Sequence, residues 1–316
     1  MKDVSKGCRR VVIGICTYKR SDKLVRLLQL LRPQVLAMDD WHVRIVVVDN
    51  DSSKSAEAAV AQQAAAFNRG QLEYVIEPAP GVGNARNAIF DVVVEGEVLV
   101  FFDDDQEPAP NWLAEMLSKH IQFPDEVLVG PVVPILPDEV PAWASDAGLW
   151  GRRQLPDGAI QQHAGFGNIL VPEKVLQSGL CRVPRNFLHG PGEDTLVTSR
   201  VTAAGFIIRH VAAASAVEHV TPERMSVEWL KRRAETSGET WVRVVRSTGG
   251  SEIRLALSAT RVALSVISAS IGHCFTKSPK SKVQLEVAWG RLRGYARALF
   301  SEQDRLFSQN LTESDR

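Results

Sequence analysis

Short apolar runs that alternate with helix-like segments constrain the fold of this chain more than any other feature of its sequence. Four runs rich in β-branched and aromatic residues fall within the first 102 residues: Val11–Cys16, Val43–Val48, Leu72–Ile76 and Val98–Phe102. The segments between them have helical patterns: Asp22–Leu36, Ser55–Phe67 and Gly83–Val94. Strands separated by helices in this rhythm are typical of parallel βαβ units with right-handed crossovers. We therefore predict an α/β fold with a Rossmann-like, mostly parallel central sheet flanked by helices.

The pattern is less regular after Val129. Several prolines interrupt residues 131–141, which predicts a loop region over a cleft. Regular segments return as a strand at Phe166–Val171, a helix at Asp194–Ala204 and a strand at Phe206–Val211. From residue 221 onward the sequence indicates helices. We accordingly divide the chain into an α/β domain over residues 1–220 and a helical, basic C-terminal region over residues 221–316.

Charge is distributed unevenly along the chain, although the net charge is zero. Residues 1–218 hold 21 Lys/Arg against 27 Asp/Glu, whereas residues 219–300 hold 14 against 6. A basic C-terminal region favours an anionic surface or ligand, including a membrane surface. Nucleic acid is not expected, because no nucleic-acid-binding motif accompanies the charge. The apolar run Val262–Phe275 within this region is either an interfacial amphipathic helix or a helix of the protein core, since about 20 residues are needed to span a bilayer.

The four cysteines have no C-x-x-C spacing, so they indicate neither a zinc site nor a disulfide framework. The first apolar run is too short for the hydrophobic region of a signal peptide. Both observations predict a location in the reducing cytoplasm.

Three consecutive aspartates, Asp103, Asp104 and Asp105, directly follow the fourth predicted strand. In open α/β sheets, ligands bind at the carboxyl ends of the strands. Neighbouring carboxylates repel one another, and a divalent cation relieves that repulsion because it prefers oxygen ligands. The sequence therefore predicts a metal site at this position. The alternative is a solvated acidic turn before the helix that follows Asn111.

Polar segments follow the other predicted strands as well. Thr17-Tyr18-Lys19-Arg20 comes after the first strand, Asp49 ends the second, and a glycine-containing segment follows the third. Gly81 and Gly83 would let the backbone approach a ligand, and Arg86 could pair with phosphate oxygens. An ordinary turn at the start of a helix explains the two glycines equally well. No Walker A loop and no dinucleotide-binding fingerprint follows the first strand.

Two further elements could take part in chemistry. Glu193 and Asp194 follow a rigid Gly-Pro-Gly turn and precede a predicted helix. They could cap that helix, or the turn could present one carboxylate as a general base toward a hydroxyl group. His219 follows a strand-like segment and is either a structural residue or a nitrogen ligand for a manganese-type ion.

Taken together, five segments resemble the motifs of the family 2 glycosyltransferases in order and spacing over about residues 10–220. These segments are Val11–Arg20, Val46–Ser52, Gly83–Asn87, Phe101–Asp105 and Gly192–Thr195. The resemblance implies a GT-A fold, a nucleotide-sugar donor (usually UDP-linked), Mn²⁺ or Mg²⁺, and inversion at the anomeric carbon. It also implies that residues 1–110 form the nucleotide-binding half of the domain and residues 111–220 the acceptor-binding half.

The resemblance assigns roles to individual residues. The donor-binding residues that it implies are Thr17, Tyr18, Arg20, Asp49, Arg86, Asp103 and Asp104, with Thr17 and Asp49 at the nucleoside and Arg86 along the nucleotide. The implied metal ligands are Asp103, Asp105 and His219. Because three aspartates are consecutive, the pair Asp104 and Asp105 remains an alternative to Asp103 and Asp105. Asp194 matches the catalytic base.

Residues 229–235 lack the Gln-x-x-Arg-Trp motif of the processive members of the family, which favours transfer of one sugar per encounter. The expected acceptor is a carbohydrate or glycolipid in polysaccharide biosynthesis, and the basic C-terminal region suggests a peripheral position on the inner face of the cell membrane. A sugar-phosphate nucleotidyltransferase and an inactive carbohydrate-binding GT-A protein are the competing functions. Trp143 and Trp150 could form an acceptor wall or pack in the protein interior.

Overall fold

The computed structural model describes residues 9–144, 149–150 and 154–301. The chain forms two compact units, one made of Met1–Val133 and Arg152–Glu218 and the other of Pro134–Gly151 and His219–Arg316. Residues 134–151, which the sequence assigns to the acceptor-binding half, thus group with the C-terminal helices. The assignment of acceptor binding to residues 111–220 stays a prediction.

The first unit is built around a sheet of eight strands within the described residues. In chain order these strands are β1 (Arg9–Thr17), β2 (Trp41–Asp49), β3 (Leu72–Ile76), β4 (Glu97–Phe102), β6 (Val127–Val129), β8 (Ile160–Gln161), β9 (Asn168–Val171) and β10 (Ile208–His210). Their spatial order is β3-β2-β1-β4-β9-β6-β10-β8. Strands β1 to β4 pair in parallel, as do β6 and β10, whereas β9 and β8 run antiparallel to their neighbours. The prediction of a mostly parallel sheet is confirmed.

Helices pack on this sheet through the apolar faces that the sequence predicts. The helices of the first unit are α1 (Ser21–Leu36), α2 (Glu57–Ala64), α3 (Val82–Val92), α4 (Trp112–Gln122), α5 (Glu173–Gln177) and α6 (Glu193–Ala203). Leu24, Leu28 and Leu31 of α1 are fully buried in a core shared with β1, β2 and β4. Helix α2 begins later than predicted, at Glu57, and the amide of the preceding Ala56 donates to the Asp49 carboxylate.

A second sheet has the strand order β5-β11-β7, with β5 at Gln106–Pro108, β7 at Val132–Ile135 and β11 at Ala216–His219. The prediction of a loop over residues 131–141 is therefore wrong for Val132–Ile135. Strand β7 lies at the edge of its sheet, where Pro134 is tolerated because an edge strand can leave a backbone donor unpaired. The proline pattern that suggested a loop is compatible with such an edge strand.

The second unit is helical, as predicted. Its long helices are α7 (Val227–Ser247), α8 (Glu252–Thr276) and α9 (Pro279–Phe300), and short 3-10 helices lie at Ala142–Ala144 and Pro222–Met225. Trp143 and Trp150 stack with ring centroids 5.8 Å apart, and both pack against a small cluster that contains Met225. The indole of Trp150 donates to the Arg224 carbonyl over 3.1 Å. These contacts favour interior packing over an acceptor wall for the two tryptophans.

Candidate active site

Polar residues from several strand ends meet at one edge of the large sheet. Thr17, the last residue of β1, pairs in register with Asp49, the last residue of β2. Strand β4 also runs parallel to β1 and ends one residue before Asp103. The strand-end residues singled out from the sequence therefore lie at the same edge, as parallel strands require.

Asp104 is the buried member of the aspartate run, with 4% of its surface exposed. Its Oδ2 accepts a hydrogen bond of 2.7 Å from the Thr17 hydroxyl, and its Oδ1 accepts one of 3.2 Å from the Arg20 guanidinium. Burial raises the pKa of the Asp104 carboxyl above its usual range, although the bond from Thr17 and the charge of Arg20 oppose this. Both carboxylate oxygens thus join the segment after β4 to Thr17 at the end of β1 and to Arg20, which follows it.

Arg20 links Asp104 to its neighbour Asp105. The guanidinium Nη1 lies 3.1 Å from Asp105 Oδ2, and Lys23 Nζ lies 4.0 Å from the same oxygen. Asp105 retains 10% side-chain exposure, whereas Arg20 is about half-exposed at 46%. The two cations partly neutralise the aspartate run at its outer side.

Asp103 is partly buried against the turn that precedes β9. Its amide donates to the Gly167 carbonyl over 3.1 Å, and its Oδ2 accepts a bond of 3.3 Å from Gln106. A Cβ atom at Gly167 would lie only 2.4 Å from Asp103 Oδ2, so a side chain there would displace the Asp103 carboxylate. The run of three aspartates is therefore divided among three environments.

Asp49 is fully buried, and its carboxylate is directed into the loop after β2. Oδ2 accepts from the Ala56 amide at 2.7 Å and from the Tyr74 hydroxyl at 3.0 Å, while Oδ1 accepts from the Asp51 amide at 3.1 Å. Burial, followed by the bond to Asp49, raises the pKa of Tyr74 well above its usual range. In this arrangement Asp49 shapes the loop, and its predicted contact with a nucleoside stays a prediction.

Sequence reasoning missed Asn50, which joins the loops after β2 and β3. Its amide nitrogen donates to the carbonyls of Glu77 and Ala79, and its Oδ1 accepts from the Gly81 amide over 2.9 Å. Gly81 has φ 124°, and a Cβ atom there would meet the Leu188 carbonyl oxygen at 2.2 Å. The close approach of the two backbones thus explains why glycine occupies this position.

Arg86 is buried within the protein. Its Nη1 donates to Glu193 Oε1, and its guanidinium carbon lies 4.8 Å from the centre of the Phe166 ring. Phe166 in turn stacks on Phe101 of β4, with ring centroids 5.0 Å apart. Arg86 therefore ties α3 to the start of α6. Its predicted contact with the nucleotide stays a prediction.

Glu193 has a buried contact that its sequence, read as a helix cap or a possible general base, does not predict. The side chain is 4% exposed, and its Oε2 is buried without a hydrogen-bond partner among the described residues. No local pattern indicates that it pairs with an arginine 107 positions away.

Asp194 is the second residue of α6 and is partly exposed. Gly192 precedes the helix with φ 99°, a left-handed conformation that favours glycine. Asp194 Oδ1 accepts from the amide and the hydroxyl of Thr195, at 2.6 and 3.2 Å. Its Oδ2 accepts no hydrogen bond from the residues that the structure describes. One carboxylate oxygen is therefore available to another molecule.

Cys16 lies beneath this edge, one residue before the end of β1. Burial raises the pKa of its thiol to about 12; the charge of Arg86 opposes this, and the charges of Asp103 and Asp104 add to it. The thiol is consequently protonated at neutral pH and is not suited to act as a nucleophile.

The acidic side chains have the donor chemistry for a divalent cation. Mg²⁺ is commonly held by one or two carboxylates together with substrate phosphates, so Asp103 and Asp105 fit such an ion. Within residues 9–144, 149–150 and 154–301, no group of three or more His, Cys, Asp or Glu side chains is arranged to hold a metal by itself. His219 is exposed at the end of β11 and belongs to the second unit. Its predicted role as a ligand is untested.

Comparison with known proteins decides the family. Residues 12–176 match the model of the family described as "Glycosyl transferase family 2". The chain belongs to this family. The match ends before Asp194 and His219, so the roles of these two residues rest on the arrangement described above and on the sequence motifs. Family membership also argues against a nucleotidyltransferase.

This glycosyltransferase is similar to a protein of Rhizobium meliloti (strain 1021), "Succinoglycan biosynthesis protein ExoM". The two are 27% identical over 241 residues, which cover 74% of each chain. Among solved structures it is similar to the mannosyltransferase PcManGT from Pyrobaculum calidifontis in complex with GDP-Man and Mn²⁺ (TM-score 0.63, 16% identity, 94% of this chain and 89% of that one). Residues 1–349 of S. aureus TarS in complex with UDP give a TM-score of 0.52 at 13% identity, with 93% of each chain covered. These similarities confirm the predicted GT-A fold.

Proposed function

We propose that this family 2 glycosyltransferase moves one sugar from a nucleotide-sugar donor, with UDP as the expected nucleotide, to a hydroxyl group of a carbohydrate or glycolipid acceptor, with inversion at the anomeric carbon. One observation carries the proposal: the aspartate run and Asp194 are separate acidic elements of the same unit. The Arg86–Glu193 pair and the stacked rings of Phe166 and Phe101 link the start of α6 to β4, which the aspartate run follows. A single displacement needs this division, because one acidic element serves the leaving group and the other serves the nucleophile.

Asp103 and Asp105 are the residues that we propose to hold Mn²⁺ or Mg²⁺. Asp104 is less suited, because Thr17 and Arg20 already occupy both of its oxygens. When bound, the ion would supply charge neutralisation to the diphosphate that leaves. The Mn²⁺ in the PcManGT complex supports this proposal. His219 is a further proposed ligand, on the basis of the motif resemblance.

The donor would lie along the edge formed by the ends of β1 and β2. Tyr18 is 53% exposed there and offers its ring to a nucleoside. Thr17 and Asp49 would shape the nucleoside site, and Arg20 would place positive charge beside the phosphates. The UDP in the TarS complex supports UDP as the nucleotide.

Asp194 would act as the general base. Its Oδ2 takes the proton from the acceptor hydroxyl while the hydroxyl oxygen forms a bond to the anomeric carbon. The bond between that carbon and the phosphate oxygen breaks on the opposite face, and the nucleoside diphosphate leaves with the electron pair. One displacement of this kind inverts the anomeric centre.

The relative from Rhizobium meliloti is named for succinoglycan biosynthesis, which supports a role in exopolysaccharide synthesis for this chain. We propose the same general process, at the cytoplasmic side of the cell membrane. The absence of the Gln-x-x-Arg-Trp motif from residues 229–235 supports addition of a single sugar.

The test begins with a panel of nucleotide sugars, with release of the free nucleotide as the signal. With the donor that this screen identifies, Asp194→Asn should lower turnover at least about a hundredfold, the lower range for loss of a general base. Binding of UDP, measured by calorimetry, should stay within about twofold, because Asp194 faces the acceptor. Asp125→Asn, at an exposed aspartate paired with Lys174, is the matched control and should behave as the wild type. Wild-type turnover in Asp194→Asn would show that the base lies elsewhere.

A further inference from the structure

Helix α8 has an exposed apolar stripe. Six large apolar side chains of this helix are more than half exposed, with values from 52% to 86%. They are Ile253, Leu257, Leu264, Ile267, Ile271 and Phe275. At 3.6 residues per turn they fall within an arc of about 80° and extend over about 33 Å along the helix. We call these six residues the α8 stripe.

The opposite face of α8 is packed against its own unit. Leu255 and Val266 are buried, and Leu255 belongs to a cluster with Tyr295 of α9 and Val245 of α7. The Tyr295 hydroxyl donates to the Leu255 carbonyl over 2.6 Å. The helix is therefore fixed through one face, while the α8 stripe faces outward from the helices described.

The charge around the α8 stripe is mainly positive, with Glu252 in the first turn as the one acidic residue of α8. Between Glu252 and Glu286 the sequence contains five Lys or Arg residues and no Asp or Glu. Arg254 and Arg261 are exposed and lie along one border of the stripe by helical periodicity. An apolar face bordered by cations is typical of a helix that lies in the interface of an anionic membrane, since long basic side chains reach the headgroups while the apolar face enters the acyl boundary.

We propose that the α8 stripe docks this glycosyltransferase on the surface of an anionic lipid bilayer. Of the described helices, α8 alone is long and apolar enough to cross a membrane by length and composition. An interfacial position accounts better for α8, because its other face is packed on protein and Arg261 lies near its middle. The proposal assigns particular residues to the peripheral location suggested above, and lipid docking is independent of the sugar-transfer chemistry.

The test is co-sedimentation of the full chain with vesicles of phosphatidylglycerol and phosphatidylcholine, and with vesicles of phosphatidylcholine alone. The double variant Leu264→Glu/Ile267→Glu should partition into the anionic vesicles about a hundredfold less than the wild type, because two apolar side chains become charged. Ile121→Glu is the matched control, because Ile121 is similarly exposed at 49% but lies on α4. It should partition as the wild type does. Weak binding of the wild type to phosphatidylcholine alone is expected.

Four outcomes would overturn the proposal. The first is a wild-type chain that does not sediment with anionic vesicles, and the second is a double variant that still does. The third is a wild-type dimer that the double variant converts to a monomer in sedimentation velocity without any lipid binding, which would assign the stripe to a second copy. Release of membrane-bound protein by alkaline carbonate supports interfacial docking, whereas retention would indicate a spanning helix and contradict it. Nucleotide release in vesicle-free solution reports separately on the proposed function.

Discussion

At the scale of single residues, the buried pair of Arg86 and Glu193 is the least expected feature of the site. Both side chains are less than 10% exposed, and the pair joins α3 to the first turn of α6. Hydrophobic residues often replace a buried ion pair without loss of stability, so stability alone does not account for the pair. Because Asp194 is the next residue after Glu193, we assign the pair a positioning role for the proposed base.

Glu193→Gln tests this positioning role. It leaves the Arg86 charge buried without a carboxylate, which should lower the free energy of unfolding by about 3–5 kcal/mol. Turnover should fall while UDP affinity is retained, because the displaced group faces the acceptor. Asp91→Asn removes the partner of Arg182 in an exposed pair and should cost at most about 1 kcal/mol. Urea denaturation and steady-state kinetics measure these effects.

A stable variant that lacks both charges of the Arg86–Glu193 pair shows whether the pair orients Asp194 or only fills space between the two helices. In Arg86→Met/Glu193→Leu, most of the lost stability should return because no unpaired charge remains. Turnover should stay low if the pair orients Asp194. A stable double variant with wild-type turnover would contradict the positioning role, and a selective loss of UDP affinity would instead support the predicted contact between Arg86 and the nucleotide.

At the scale of secondary-structure elements, glycines determine how closely α7 and α9 approach each other. A Cβ atom at Gly294 of α9 would lie 1.9 Å from the Glu235 carbonyl oxygen, and one at Gly238 of α7 would lie 2.3 Å from the Arg291 carbonyl oxygen. In both cases the nearest atom is backbone, which cannot move aside without shifting a helix. The close packing of these helices therefore depends on the missing side chains.

Gly294→Ala should destabilise the helical unit by about 1–3 kcal/mol, the usual cost of adding a group to a packed interface. Gly272→Ala in α8 is the matched control, because no atom lies within 4 Å of its added Cβ. Since alanine loses less entropy than glycine in a helix, this control should gain about 0.5–1 kcal/mol. Chemical denaturation followed by circular dichroism measures both changes. Equal stability of the two variants would mean that α7 and α9 are not closely packed in solution.

The sequence predicts the elements whose patterns are local. Strand β3 has the bounds that its β-rich run indicates, although it is a half-buried edge strand. Strand β4 begins one residue earlier than predicted, and its continuous apolar run identifies it because it is buried on both faces. The antiparallel insertion of β9 between β4 and β6 is not encoded in any local period. The pairing of Arg86 with Glu193 likewise depends on two helices that only the folded chain brings together. Motifs at strand ends are thus predictable, whereas their contacts with one another are not.

At the scale of the whole molecule, the proposed donor-binding edge and the proposed membrane-docking stripe belong to different compact units. The strand-end residues and Asp194 lie in the first unit, which carries 24 Asp/Glu against 21 Lys/Arg. The α8 stripe lies in the second unit, which carries 16 Lys/Arg against 13 Asp/Glu. Donor binding and membrane docking should therefore respond to different substitutions.

Hydrogen exchange with UDP and Mn²⁺ tests this division over the whole chain. Saturating ligand stabilises a folded unit, by about 2.7 kcal/mol at a hundredfold excess over Kd, so exchange should slow around Thr17–Arg20 and Asp103–Asp105. Exchange in α8 should not change. Removing Mn²⁺ with a chelator, or introducing Asp103→Ala/Asp105→Ala, should abolish the metal-dependent part of the protection, whereas Asp125→Ala should preserve it. Slower exchange in β11 that His219→Ala removes would support His219 as a ligand, and protection that is identical with and without Mn²⁺ would contradict the proposed metal site.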